Sequence, residues 1–364
     1  MGVLSWAILE STNWFATLFW QESGLAICVR GFAQYVRRIM NSPLRIGLVG
    51  CGRVAQQFYL PAIRDLSEAR LMAVADSRPE QVRVFLSEFP ACRFFSSAHE
   101  LLDETELEAL IVATPPETHA GIAELALRRA VSVLVEKPLA TSMAGIPELQ
   151  DAAACSSASL LVGFNRRFWT PVSLLREALR DNHSSGVAAE LVMTTNSRAW
   201  IPISDPLDDL ASHQLDLIQY LFESPVRVVS ARWLNPCTVQ LNLKLHGGIE
   251  ATCFAAQTDV STESITIRSE YHQYRVHISM GSERIKPAHG LVRSVLDFGG
   301  ALNRRIQRRP SALRLSFKKQ LQYFLDCVRT RSQPEPSLEA GIRVICAIEA
   351  ARKSAARGGA EVYV

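Results

Sequence analysis

The chain has 364 residues, beyond the size at which a single hydrophobic core keeps growing, so two domains are expected. Hydrophobic residues make up 48% and charged residues 21%, the balance of an ordinary globular protein, and a formal charge of +3 argues for neither a nucleic-acid nor a membrane partner. Eight scattered cysteines, with no C-x-x-C pair and no histidine at ligand spacing, argue against a disulfide framework or a metal site and suit a reducing, cytoplasmic setting.

Residues 1 to 39 stand apart, carrying Trp6, Trp14 and Trp20 and short apolar runs without strand-and-helix alternation. No Lys or Arg precedes Arg30, so the basic start of a signal peptide is missing. Glu10, Asn13, Gln21 and Glu22 interrupt every window of the roughly 20 apolar residues that a membrane helix needs. The expectation is a native product starting at Met40, with residues 1–42 an extension.

Leu44, Ile46, Leu48 and Val49 read as a buried strand that runs into the turn Gly50-Cys51-Gly52. Glycine there allows a tight turn and close approach of the backbone to a pyrophosphate, and Ala55 is small enough for helix to pack on strand. The free N–H groups and positive dipole end of the following helix, expected over 56–66, would face the phosphates. A second apolar strand, 71–75, ends in Asp76, close to the roughly 20-residue offset at which an acid accepts from the adenosine ribose hydroxyls.

The alternation continues with a helix over 79–89, a short strand over 92–95 and a short helix over 99–104. A strand over 109–113 then ends at Thr114-Pro115-Pro116, a helix covers 118–129, and a strand over 131–135 ends at Glu136-Lys137-Pro138. In a parallel sheet the carboxyl ends of strands share one edge, so Gly50, Asp76, Thr114 and Lys137 are expected in a single crevice. One more strand, 160–164, delivers Asn165-Arg166-Arg167-Phe168.

Beyond it, Val239, Leu241, Leu243 and Leu245, then Ile265 and Ile267, then Val276 and Ile278, alternate with a period of two, as in an antiparallel sheet with one apolar face. Helical spacing returns at Leu321, Phe324, Leu325 and Val328 and at Ile342, Val344, Ile345 and Ile348.

The turn at 46–52, Val74-Ala75-Asp76, Ala113 to His119, Val135-Glu136-Lys137-Pro138 and Asp209-Leu210-Ala211-Ser212-His213 together resemble the glucose-fructose oxidoreductase, inositol dehydrogenase and rhizopine catabolism family, Gfo/Idh/MocA. The resemblance implies an α/β protein: an N-terminal Rossmann dinucleotide-binding domain, here 43–163, then a C-terminal α/β domain with a large, mainly antiparallel open sheet, here 164–364, for substrate binding and oligomerisation. It implies hydride transfer between a nicotinamide cofactor and a secondary alcohol or ketone of a sugar, cyclic polyol or sugar derivative. Alternatives are an NADP-linked sugar-nucleotide or keto-sugar reductase, and a cofactor-binding sensor or scaffold without turnover.

By that resemblance Lys137, Asp209 and His213 are the catalytic residues. Lys137 would stabilise negative charge developing on oxygen. His213, with an ordinary pKa near 6.5, suits the general base, and Asp209, four residues earlier on the same helical face, would orient or charge-stabilise it, with Asp216 doing likewise from behind. Gly50, Gly52, Arg53, Val54, Asp76, Ser77, Arg78, Thr114, Pro115, Pro116, His119, Glu136 and Lys137 form the expected cofactor-binding set. Asn165 and Arg167, with Asp209 and His213, form the expected substrate-binding set, with a domain hinge as the alternative role for the first two. Trp169 and Trp200 could stack on a sugar, but packing is the favoured reading.

Asp76 favours NAD, because a carboxylate repels a 2′-phosphate; Arg78 keeps NADP open. Two departures from the family pattern stand out. Ile203-Ser204-Asp205-Pro206-Leu207-Asp208 replaces a glycine-rich turn before Asp209, so Asp208 competes for its role, and Arg128-Arg129-Ala130 lacks a glycine before the Glu-Lys-Pro strand. The basic run Arg304 to Arg309 with Arg314, Lys318 and Lys319 reads as a solvated face, with a phosphate-bearing substrate as the functional alternative. The expected partners are a small sugar or polyol and further copies of the chain, as a dimer or tetramer.

Overall fold

The computed structural model describes residues 42–180, 187–196, 205–258, 261–270, 272–279, 282–287 and 312–364. The expectations for residues 1–39, Trp200, Ile203, Ser204 and the run Arg304 to Arg309 lie outside them.

The first half is a parallel sheet of β1 (Leu44–Val49), β2 (Ala69–Ala75), β3 (Arg93–Phe95), β4 (Ala109–Val112), β5 (Ser132–Val135) and β6 (Leu160–Val162). Its order is β3-β2-β1-β4-β5-β6. β1 pairs in parallel with β2 on one side and β4 on the other, so the direction of winding reverses between β1 and β4. A ligand crevice opens at such a switch point. The strands are apolar on both faces because helices cover both, with Ile46, Leu48, Leu110, Ile111, Val133 and Leu134 fully buried.

The helix after the glycine turn departs from a plain α-helix. A π-turn over Ala55–Tyr59 precedes α1 (Leu60–Arg64), and the Leu60 N–H donates five residues back to Ala55. Pro61 has no N–H to give to the carbonyl four residues before it, so the regular ladder fails at this point. The remaining connections are α2 (Pro79–Glu88), α3 (Ala98–Glu104), α4 (His119–Leu127) and α5 (Ile146–Cys155). Ser97 caps α3 by accepting from the Glu100 N–H at 3.2 Å.

After β6, a 3₁₀ turn over Asn165–Phe168 leads to α6 (Thr170–Arg180), β7 (Ala188–Asn196), a second π-turn over Leu207–Ala211 and α7 (Ser212–Phe222). The second sheet adds β8 (Val226–Asn235), β9 (Thr238–Leu245), β10 (Glu250–Thr258), β11 (Thr262–Arg268), β12 (Gln273–Ser279), β13 (Ser282–Pro287) and, after α8 (Ala312–Thr330) and α9 (Leu338–Ala356), β14 (Val362–Tyr363). Its order is β13-β12-β11-β7-β10-β9-β8-β14. Among the described strands of this second sheet only the β7–β10 pair is parallel, so the sheet is mainly antiparallel. The Gln214 amide fixes α7 to this sheet by donating to Leu191 and Phe254 carbonyls on that pair, both at 2.9 Å.

Residues 164–364 do not keep to the second sheet. Phe317, Leu321, Phe324 and Leu325 of α8 join the core of Leu44, Ile46, Leu48 and Ile63 beside the first sheet. Phe317 stacks on Phe58 with ring centres 4.4 Å apart. Apolar spacing shows that α8 has a buried face but does not say which sheet receives it.

Candidate active site

The crevice begins at Gly50. Its φ of +90° is in the left-handed region, and a Cβ there would stand 2.5 Å from the Ala113 backbone at the end of β4. At Gly52 a Cβ would meet nothing within 4 Å, so the turn is open at the place where a pyrophosphate approaches. Asp76, at the end of β2, accepts from the Cys51 N–H at 2.8 Å and from the Arg78 N–H at 2.9 Å, with the Arg78 guanidinium 3.8 Å away. Its carboxylate therefore braces the glycine turn from outside. Arg53, Ser77 and Arg78 are exposed at the rim, and Val54 is half-buried beside Arg53. The open bed at Gly52 and the acid at the second strand's end fit a dinucleotide.

Thr114, Pro115 and Pro116 form the next stretch of the same edge, where the Thr118 hydroxyl donates to the Pro115 carbonyl at 2.9 Å. His119 lies behind them rather than on the surface. Its Nδ1 is 2.7 Å from the Pro138 carbonyl oxygen and its Nε2 2.8 Å from that of Thr114, so the ring bridges the two turns. Burial pushes its pKa down. Glu136 is also buried, accepting from the Tyr59 hydroxyl at 2.6 Å and from the Lys137 N–H at 3.2 Å. Burial raises the pKa of both Glu136 and Tyr59.

Lys137 follows β5 and precedes a cis Pro138. Its Nζ donates to the Asp209 carboxylate at 2.6 Å and to the Asp209 carbonyl at 2.8 Å. Asp209 sits inside the π-turn, where the Ser212 N–H reaches back to the Leu207 carbonyl. His213 is on the first turn of α7 and is 3% exposed. Burial first, then the charges of Arg166 and Lys137, hold its pKa well below the ordinary histidine value, so the ring is neutral at neutral pH. The Phe164 ring stands edge-on, 6.3 Å away between centres. His213 Nδ1 is buried and has no partner among the described residues. A neutral imidazole beside an ammonium–carboxylate pair can take a proton while the ammonium stabilises an oxyanion.

Two profiles of one family match the chain: "Oxidoreductase family, NAD-binding Rossmann fold" over residues 44–164 and "Oxidoreductase family, C-terminal alpha/beta domain" over 204–364. The chain belongs to the Gfo/Idh/MocA oxidoreductase family. Its first domain is thus an NAD-binding Rossmann domain. A 1-carboxy-3-chloro-3,4-dihydroxycyclohexa-1,5-diene dehydrogenase of Comamonas testosteroni is 30% identical over 203 residues, 52% of this chain and 51% of that one. A myo-inositol 2-dehydrogenase of Thermotoga maritima is 25% identical over 198 residues, 52% and 58% of the two chains. The matched stretch is thus little more than half the length of these relatives. In structure, the chain resembles the WlbA dehydrogenase of Bordetella pertussis, solved with NADH and UDP-GlcNAcA, at a TM-score of 0.75 and 21% identity, covering 89% of this chain and 98% of that one.

In this Gfo/Idh/MocA chain, two expected substrate residues turn inward. Arg167 is 8% exposed and its guanidinium grips the Asp216 carboxylate at 2.6 and 3.0 Å, with Glu335 at 3.3 Å. Asp216, expected behind His213, is thus held in a buried ion pair with Arg167. Asn165 is 1% exposed and donates to the Ser316 hydroxyl at 3.0 Å. Arg166, absent from the expected site residues, is the arginine whose charge reaches His213. It pairs with Glu263 of β11 at 2.7 Å and lies 5.2 Å over Trp169. Its position inside the run from Asn165 to Phe168 was the one available signal. Trp169 is buried, in keeping with packing.

Proposed function

We propose that the chain is an NAD-dependent dehydrogenase, moving a hydride between the nicotinamide and a secondary alcohol or ketone of a neutral sugar or cyclic polyol. The observation that carries this reading is the Lys137–Asp209 pair at 2.6 Å beside a buried His213 held neutral. The catalytic roles go to those residues. His213 takes the hydroxyl proton as the carbon is oxidised, and returns it in reduction. Lys137 stabilises the oxygen while it carries negative charge, and Asp209 holds the ammonium in place. The nicotinamide, when bound, supplies the hydride acceptor or donor. Arg166 and Glu263 face the substrate, whereas Arg167 serves the fold.

Charge balance supports a neutral substrate. Lys137 is matched by Asp209 and Arg166 by Glu263, which leaves these two cations without surplus charge for a phosphate. NAD is favoured over NADP because two backbone N–H groups hold the Asp76 carboxylate where a 2′-phosphate would meet it. Arg53, Ser77 and Arg78 then border the adenosine end, and Thr114 to Pro116 with Glu136 border the nicotinamide end.

Cytoplasmic location is supported by seven free cysteines among the described residues. No described helix is long and apolar enough to cross a membrane. A dimer or tetramer is supported by the face of the second sheet opposite its helices, where Val192 of β7 and Phe254 of β10 pair across strands. The deciding experiment gives the purified protein NAD or NADP with a panel of sugars, inositols and sugar nucleotides, alongside His213→Ala. Polyol-dependent NAD reduction by the wild type alone is expected. Full activity in His213→Ala would remove the base from the scheme, and tighter NADP than NAD binding would overturn the cofactor choice.

A further inference from the structure

Two adjacent aspartates, Asp208 and Asp209, lie in the π-turn that leads into the catalytic helix, and two cations stand nearby. Lys137 takes Asp209. Arg352, from α9 at the far end of the chain, takes Asp208 at 2.7 Å and Asp205 at 3.2 Å with the same Nη2. Asp205 is itself locked to the turn: its carboxylate accepts from the Leu207 N–H and its carbonyl from the Asp209 N–H, both at 2.9 Å. Arg352 thus fastens the start of the turn to α9.

Asp208 has the means to compete for Lys137. The charge of Lys137 already reaches it, favouring its ionised form, although burial dominates and raises its pKa. One of its oxygens, Oδ1, is buried with no partner among the described residues. A half-buried carboxylate with one sealed, unfilled oxygen gains from a cation within reach. The sequence has no glycine-rich turn before Asp209, and the neighbouring Asp208 is instead occupied by a residue on another helix.

We infer that Arg352 is a positioning residue that sorts the two aspartates, holding Asp208 so that Asp209 alone pairs with Lys137. The inference rests on the dehydrogenase reading for its kinetic arm but not for its structural one. With the polyol that the wild type oxidises, Arg352→Met lowers kcat about tenfold at little-changed KM, because Lys137 is misdirected rather than lost. Arg352→Lys recovers most of the loss. The decisive variant is Arg352→Met combined with Asp208→Asn: removing the competing charge restores kcat to near that of Asp208→Asn alone.

A double variant as slow as Arg352→Met, or slower, would mean that Arg352 only braces the turn, and would overturn the sorting role. If Arg352→Met does not fold, Arg352→Gln, alone and with Asp208→Asn, carries the same expectations. If the wild type turns over nothing on the panel, the dehydrogenase reading fails by itself. Crystal structures of wild type and Arg352→Met then decide the sorting. Asp208 turned onto Lys137 Nζ in the variant supports it, and Asp209 still holding Lys137 overturns it.

Discussion

The edge of the first sheet and the segment from Asp205 to Asp216 meet at Lys137 but are built on opposite principles. At the sheet edge the working groups are largely backbone: the turn at Gly50, the bed at Gly52, and the Thr114 and Pro138 carbonyls that His119 bridges. In the segment they are side chains, arranged as cation–carboxylate pairs. Lys137–Asp209 is partly open, at 15% and 16% side-chain exposure, while Arg167–Asp216 is sealed at 8% and 1%. Both pairs close to 2.6 Å, so distance does not separate them. What separates them is access, and on the proposed function the pair that a substrate can reach serves chemistry while the sealed pair serves the fold.

Replacing the base tests this contrast with the largest effect. His213→Ala is expected to lower kcat about a thousandfold, within the usual range for a positioned general base. The pH profile follows from the depressed pKa. The ring must be neutral to accept a proton, so activity should hold through pH 6.5 and fall only well below it. Stability shares that sign. Below about pH 6.5 the unfolded chain binds a proton that the folded chain refuses, so stability drops on acidification. His213→Ala should flatten that slope in denaturant titrations.

Breaking the sealed pair should cost stability instead. Arg167→Met leaves Asp216 buried without its main partner, and about 3–5 kcal/mol is expected to be lost in urea unfolding. Replacing both members, with Arg167→Met and Asp216→Leu together, should recover much of it, since no charge is then stranded. Protein of near-normal stability but with weakened substrate binding would mean that Arg167 faces the ligand after all. A smaller loss, about 1–3 kcal/mol, is expected for Tyr59→Phe, which removes the donor to buried Glu136.

The same contrast explains which features are legible in the sequence. The strands of the first sheet and its crevice follow from apolar runs, the glycine turn and the acid-tipped strand, because backbone sites leave their mark on composition, whereas the order of those strands is seen only in the fold. Neighbouring residues of one type leave no such mark. Arg166 and Arg167 differ only in the direction that a 3₁₀ turn gives them, and Asp208 and Asp209 only in their places along a π-turn. The partners that decide between them, Glu263, Asp216 and Arg352, are far away in the chain. The docking of α8 on the first sheet was hidden for a related reason: periodicity reports a buried face and not its partner.

The smallest effect is expected at the connection before β5, where Arg128-Arg129-Ala130 has no glycine. Ala130 has a φ of +54°, in the left-handed region where a Cβ crowds the following carbonyl. Its N–H still donates to the Leu127 carbonyl at 2.9 Å, and the Val131 N–H to that of Ala126 at 3.0 Å, so the helix end closes as a glycine cap would close it. Ala130→Gly removes the crowding but adds freedom to the unfolded chain. With the first effect at about 1–2 kcal/mol and the second below about 1, the net gain should be about 1 kcal/mol. Since this turn is at the opposite end of β5 from Lys137, kcat and KM should stay unchanged while the urea midpoint rises. A variant that is less stable would mean that unfolded-state freedom outweighs the relief of crowding.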